Sequence, residues 1–373
     1  MSSAALRLSL RGHKAAVACI TQKNDFLVSA DRDGWVIVWN LATKRPRAIW
    51  KAHEGHIVTL KLTAMGLLTH GRDLHIRFWK DPPMPQCEEF PVNSLNFCNV
   101  DLVSLDLEAA LLVTPATVDS DNFDVYKIRS NGATVLRVVE NFSVKAATTS
   151  KSEVEEINSP ELVLQLRGNG VIMRLLFVAQ NLLFVGYESG AVFCFRIDPD
   201  VRDRTKTLSG HTPLPVLSLE YDPCRHELYC GSASKKLLRI STKRLEDLSE
   251  NGVETPCNEE CDSRPRSHYG LQNIHVTESG FVVAFWDGVI KSFTTDCEPK
   301  LVLERAEETI QALKFESIGG PTKKSLCLYA YTPGDMIQGE RRALSVRDRS
   351  PKEPLLFVGY GDGLIRAYKP SFV

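Results

Sequence analysis

The chain has 373 residues, 43% of them hydrophobic and 24% charged, and 45 basic side chains against 46 acidic ones leave a formal net charge of -1. That balance excludes the strong non-specific attraction to nucleic acid or anionic membrane that a large excess of Lys and Arg would create. The opening MSSAALRLSLRGHK holds no apolar stretch of signal-peptide length, and nowhere do about 18 apolar residues run together, so export and membrane spanning are not expected and the compartment is read as cytosol or nucleus.

In chain order, strand-like ALRLSL (residues 5–10) comes first, ahead of His13. Two segments then align without a gap 40 residues apart, LVSADRDGWVIVWN (27–40) and LLTHGRDLHIRFWK (67–80). In each, a turn aspartate stands six residues before a tryptophan, Asp33 before Trp39 and Asp73 before Trp79, with His13 and His53 at matching upstream places. This is the pattern of WD-repeat β-propellers, in which each repeat of roughly 40–45 residues makes a four-stranded blade. Histidine, a hydroxyl, aspartate and the tryptophan N–H then form a buried hydrogen-bond chain, tolerated in a core because every member is satisfied. At the hydroxyl place this alignment puts Asp31 and Gly71, so an altered network is expected.

Weaker copies follow. LVTPATVDSDNFDVYKI offers Tyr126 as the tryptophan counterpart, LLFVGYESGAVFCF offers Ser189 and Phe195, and LYCGSASKKLLRI, after Gly210 and His211, offers Ser234 and Ile240. VVAFWDGVIKSF carries Asp287 and Phe293, and LLFVGYGDGLIRAY carries Asp362 and Tyr368. The repeats predict an all-β chain, a single seven-bladed WD-repeat β-propeller over residues 1–373. Because an open ring would leave two sheet edges unpaired, residues 5–10 are expected to close the last blade, near Tyr368. Dividing 373 residues by seven gives about 53 per repeat, so the surplus over a plain blade is assigned to long loops at about 141–160, 242–268 and 316–353. Within them, residues 245–262 hold seven acidic side chains and no Lys or Arg, whereas 338–352 hold five basic against two acidic.

The chemistry-bearing residues mostly have structural explanations. Asp33, Asp73, Asp287 and Asp362 stand in turns, often followed by glycine, and not in a convergent acid pair. His53-Glu54-Gly55-His56 lacks the HExxH spacing and the helix of a metalloprotease. Cys257, Cys261 and His268 lack the second close pair of a zinc site, so no metal or other cofactor is assigned. The ten cysteines are scattered, mostly in apolar runs, and indicate no disulfide framework. Arg32 and Arg72 in their turns, with Tyr187, Trp286 and Tyr360, are the candidate partner-binding residues, since aromatics and arginine are favoured at interfaces.

Beyond the fold, GLLTHGRDLHIRFW, PVNSLNFCN (91–99), LVTPATVDSDNFDVYKI, LLFVGYESGAVFCF, PVLSLEYDP (215–223) with CGSASKK after it, AFWDGVIKSF and GYGDGLIRAY occur in an order that resembles the ASTRA-associated protein family. Animal relatives of that family are described as G-protein β-subunit-like proteins. The resemblance implies a non-catalytic scaffold of nucleus and cytoplasm, a component of the ASTRA assembly linked to chromatin regulation. It further implies work with the TTT cochaperone in maturing phosphatidylinositol 3-kinase-related kinases, as a monomeric propeller among protein partners, without direct nucleic-acid or membrane contact. No catalytic or cofactor residues are defined for the family. The alternative is a substrate receptor of a cullin-type ubiquitin ligase, disfavoured because Trp39-Asn40-Leu41-Ala42 and Trp79-Lys80-Asp81-Pro82 are not the Trp-Asp-x-Arg ending typical of those receptors.

Overall fold

Short runs rich in β-branched and aromatic residues, punctuated by Gly- and Asp-bearing turns, pair into seven four-stranded antiparallel sheets. The computed structural model describes residues 5–23, 26–63, 66–80, 87–93, 98–106, 109–129, 135–143, 169–179, 182–197, 206–211, 214–235, 237–242, 258–261, 268–277, 279–303, 325–331 and 354–369. Blade one spans 17–51, blade two 57–91, blade three 101–142, blade four 172–211, blade five 216–261 and blade six 271–303. Blade seven takes three strands from 325–369, and Ala5–Arg11 supplies its outer strand.

That closure follows the sequence expectation. Leu6 stands opposite Tyr368 and Leu10 opposite Ile365. Leu8 and Leu10 sink into the seam between blades seven and one with Trp39, Phe357 and Ile365. Burying each leucine contributes about 1.5–3 kcal/mol, which fastens the ring where its two chain ends meet.

Alternation along each strand sends side chains into the seams on either side of its blade, and seven apolar clusters fill them, each shared by two neighbouring blades. Two of the stretches expected to be loops contain blade strands. Asn258–Cys261 is the outer strand of blade five, pairing with the strand Leu237–Ser241, and Ser325–Tyr331 is the inner strand of blade seven. Both escape detection by pattern because polar sequence surrounds them. Cys297 is disulfide-bonded, although the scattered cysteines indicate no disulfide framework in the sequence. Cys19 and Cys98 are free, and burial pushes both thiols up to about 12, which keeps them unreactive.

The inner strands line a central channel of about 530 Å³, with Ala18, Lys61, Arg174 and Glu220 among its wall residues. In six blades a bulge separates the first and third residues of the inner strand, at Val17/Cys19, Ile57/Thr59, Ile172/Arg174, Val216/Ser218, Leu271/Asn273 and Ser325/Cys327. Several of those third residues reach the backbone of the next blade. Cys19 Sγ donates to Val58 O at 3.3 Å, Thr59 Oγ1 accepts from Val100 N at 3.1 Å, Arg174 Nε donates to Leu217 O at 2.6 Å, and Ser218 Oγ donates to Leu271 O at 2.9 Å. The bulges thus turn local strand irregularity into a ring of ties between blades.

Candidate protein-docking face

Inside blade one, His13 Nδ1 lies 2.7 Å from Asp31 Oδ2 and Nε2 lies 2.7 Å from Ser29 Oγ, which also accepts from Trp39 Nε1 at 2.8 Å. An imidazole protonated on Nδ1 satisfies both partners, donating to the carboxylate and accepting the serine O–H. Blade two repeats the arrangement with His53, Asp73, Thr69 and Trp79: His53 Nδ1 to Asp73 Oδ1 is 2.8 Å, His53 Nε2 to Thr69 Oγ1 is 2.8 Å, and Trp79 Nε1 to Thr69 Oγ1 is 2.9 Å. The hydroxyls are therefore Ser29 and Thr69, which corrects the assignment of that place to Asp31 and Gly71.

Asp33 is corrected as well. Its side chain is exposed, and only its backbone N–H joins the network, donating to Asp31 Oδ1 at 3.0 Å. The carboxylate enters blade one from position 31 and blade two from position 73. Gly71 stands where Asp31 stands in blade one, and a Cβ there would lie 2.3 Å from His53 Nδ1, so blade two has no room for a side chain at that place. Asp73 also accepts from Glu54 N at 3.1 Å and Arg77 Nη1 at 2.8 Å. Burial alone would raise its pKa, but hydrogen bonds from Arg77 and His53 outweigh that and hold it well below the usual carboxylate range.

The other blades keep fragments of this device. Asp287 bonds His268, which stands ahead of the inner strand of blade six as His13 and His53 stand ahead of theirs. His268 thus has a structural partner within its own blade; Cys257 and the side chain of Cys261 lie outside the described residues. Asp362 holds its turn by accepting from Leu364 N at 3.2 Å. His211 ends the outer strand of blade four, opposite Ala191, and its side chain lies outside the described residues. In blade three the Tyr126 hydroxyl donates to Asp124 Oδ2 at 3.2 Å and accepts from Arg137 Nη2 at 3.0 Å.

Antiparallel order places the turn between second and third strands at the same end of each blade as the connection to the next inner strand. One disc face collects both kinds of segment. Arg32 N donates to Ala16 O at 3.0 Å, Arg72 N to His56 O at 2.9 Å, Glu188 N to Val171 O at 3.0 Å, Ala233 N to Pro215 O at 3.2 Å and Trp286 N to Gly270 O at 3.1 Å. These five residues occupy one rim position on five blades, and Arg32, Arg72 and Trp286 are exposed there.

The same face gathers exposed apolar side chains. Trp35, Leu74, Val118, Leu214, Tyr269 and Trp286 lie on it, whereas the other large exposed hydrophobics among the described residues, Leu6, Ile49, Val135 and Leu136, lie on outer strands. Trp286 packs over Gly270, where a Cβ would come within 2.2 Å of its ring, and Lys235 Nζ sits 4.2 Å from the centre of the Tyr269 ring. Tyr187 and Tyr360, read from sequence as candidates for this surface, are instead 0% and 1% exposed in seams between blades. Each is the last residue of a second strand, which continues through the position that looked like a turn.

The family model described as ASTRA-associated protein 1 matches residues 6–368. The chain is 40% identical over 368 residues to the ASTRA-associated protein 1 of Clavispora lusitaniae, covering 96% of this chain and 95% of that one. It is 30% identical to the protein of the same name from Meyerozyma guilliermondii, covering 97% and 98%. Among solved structures, the β-propeller domain of Cps50 (Swd1) from Myceliophteria thermophila superposes with a TM-score of 0.64 at 13% identity, over 99% of this chain and 100% of that one, a likeness of fold.

Proposed function

This chain belongs to the ASTRA-associated protein 1 family, and from that membership we propose that it is a non-catalytic scaffold subunit of an ASTRA assembly in nucleus and cytoplasm. Within the assembly it is linked to chromatin regulation and acts with the TTT cochaperone in maturing phosphatidylinositol 3-kinase-related kinases. The observation that carries the docking role is the gathering of exposed aromatic, aliphatic and arginine side chains on one face of a rigid disc. Such residues supply most of the energy of protein interfaces, and the surrounding charges orient the partner.

Affinity purification of the tagged full-length protein from native extract, with cross-linking to locate the contacting lysines, tests this reading. Recovery of ASTRA and TTT subunits with the wild type, reduced about tenfold by the pair Trp286→Ala and Tyr269→Ala at unchanged unfolding midpoint, is the expected result. Recovery of none of these subunits, or equal recovery with the variant, overturns it.

A further inference from the structure

On blades one and two the mouth of the channel is basic. Arg32 and His56 both line the channel, Arg72 N bonds the carbonyl of His56, and the charges of both arginines reach the His56 ring. Arg32 makes no ion pair among the described residues. Burial, then the charges of Arg32 and Arg72, push His56 down to about 4. The imidazole is thus neutral at pH 7 and presents a hydrogen-bonding ring within the field of two fixed cations.

Beside this cluster the backbone is strained. The corresponding turn position is glycine in blade one (Gly34, φ 88°), blade four (Gly190, φ 92°), blade six (Gly288, φ 89°) and blade seven (Gly363, φ 79°). Blade two places Leu74 there at φ 66°, with 42% of its surface exposed. A leucine in the left-handed region costs backbone energy that glycine avoids, and a side chain with 42% of its surface exposed recovers only part of it through burial. Backbone strain of that kind clusters at binding and switch sites. Trp35, 41% exposed, opens the strand that follows the Arg32 turn on the same disc face.

We propose that Arg32, His56 and Arg72, with Leu74 and Trp35 beside them, form a binding site for a partner peptide that pairs an Asp or Glu carboxylate with a neighbouring large apolar side chain. The arginines take the carboxylate in charge-assisted hydrogen bonds, His56 adds a donor or acceptor between them, and the apolar residue covers Leu74 and Trp35. A nucleic acid would need an extended run of cations and would gain nothing from an exposed leucine. The site deepens the docking role proposed above and rests on it for its biological partner, while its chemistry is measured on the isolated chain.

The experiment uses the full-length protein as bait for a random twelve-residue peptide display library, followed by fluorescence polarization with the selected peptides. Peptides bearing Asp or Glu next to Leu, Ile, Met or Phe are expected. Their affinity should fall at least tenfold with the double variant Arg32→Ala/Arg72→Ala, and equally when Asn or Gln replaces the peptide's acid. Leu74→Gly should weaken binding to a similar degree without lowering the unfolding midpoint, a combination that damage to the fold cannot produce. No enrichment, enrichment of peptides without acidic residues, or affinities indifferent to these variants overturns the site. Peptide selection succeeding while no ASTRA or TTT subunit copurifies leaves the site standing and removes the scaffold role; the reverse removes only the site.

Discussion

Asn99 bonds the backbone of Leu175 twice: its side-chain amide donates to the Leu175 carbonyl at 2.8 Å, and its carbonyl accepts from the Leu175 N–H at 3.1 Å. A side chain thereby imitates a strand neighbour across the seam between blades three and four. Asp101 reinforces it by accepting from Phe177 N at 2.7 Å. Asn99→Ala leaves a donor and an acceptor without partners and should cost about 2–4 kcal/mol in urea unfolding. Asn99→Asp keeps the acceptor but sets a carboxylate against a carbonyl. It should be at least as damaging at pH 7 and recover as acid protonates the new side chain, which unfolding midpoints at several pH values would reveal.

The two best blades predict opposite responses from neighbouring aspartates. Asp31→Ala removes the anchor of His13 and of two backbone N–H groups, a loss of about 1–3 kcal/mol, whereas Asp33→Ala should stay within about 0.5 kcal/mol. In blade two the aspartate at the turn position is the one that matters, so Asp73→Ala should match Asp31→Ala. Thermal unfolding of the three single variants decides it; an Asp33 variant as unstable as the Asp31 variant would restore the sequence-based assignment.

This pair also shows how far the sequence is legible. Blade number, ring closure and the His and Trp members of the networks follow from period and spacing, because each blade must repeat the same burial. Spacing does not single out the hydroxyls, because Ser29 and Asp31 are two residues apart and face the same side of one strand, so pattern alone cannot rank them. His268 hides behind polar sequence, and nothing in the letters GRDLHI announces that Leu74 occupies a glycine's conformation. Asn99 ends the PVNSLNFCN segment, whose role becomes visible only when blade four is placed beside it.

Tyr187 and Tyr360 end equivalent strands but differ in what their hydroxyls meet. Tyr360 Oη lies 2.9 Å from Tyr368 Oη in a buried pair, while Tyr187 Oη is buried without a hydrogen-bond partner among the described residues. Desolvation pushes the Tyr187 hydroxyl far above the ordinary tyrosine range, in keeping with that isolation. Tyr187→Phe should therefore stabilise the fold by about 1 kcal/mol, and Tyr360→Phe should destabilise it by about 1–3 kcal/mol through the stranded Tyr368 hydroxyl. Chemical unfolding at matched conditions measures both signs.

His56 predicts the shape of the acid limb of stability. Its folded pKa of about 4 lies below the ordinary 6.5, so the fold favours the neutral ring. The unfolded chain takes up this proton first, and the contribution of His56, complete above pH 6.5, is lost as pH falls toward 4 and is constant below that. His53 and His70, also lowered mainly by burial, add to the same limb, whereas the contribution of Asp73 fades only at pH below the ordinary 3.8. His56→Gln should flatten the decline between pH 6.5 and 4 without abolishing it. Arg32→Ala/Arg72→Ala should move the NMR titration of His56 part of the way back toward 6.5, because burial, the larger cause, remains. A midpoint unmoved by the double variant would mean that the two guanidinium groups do not act on this ring, and the channel mouth would lose its anion-attracting character.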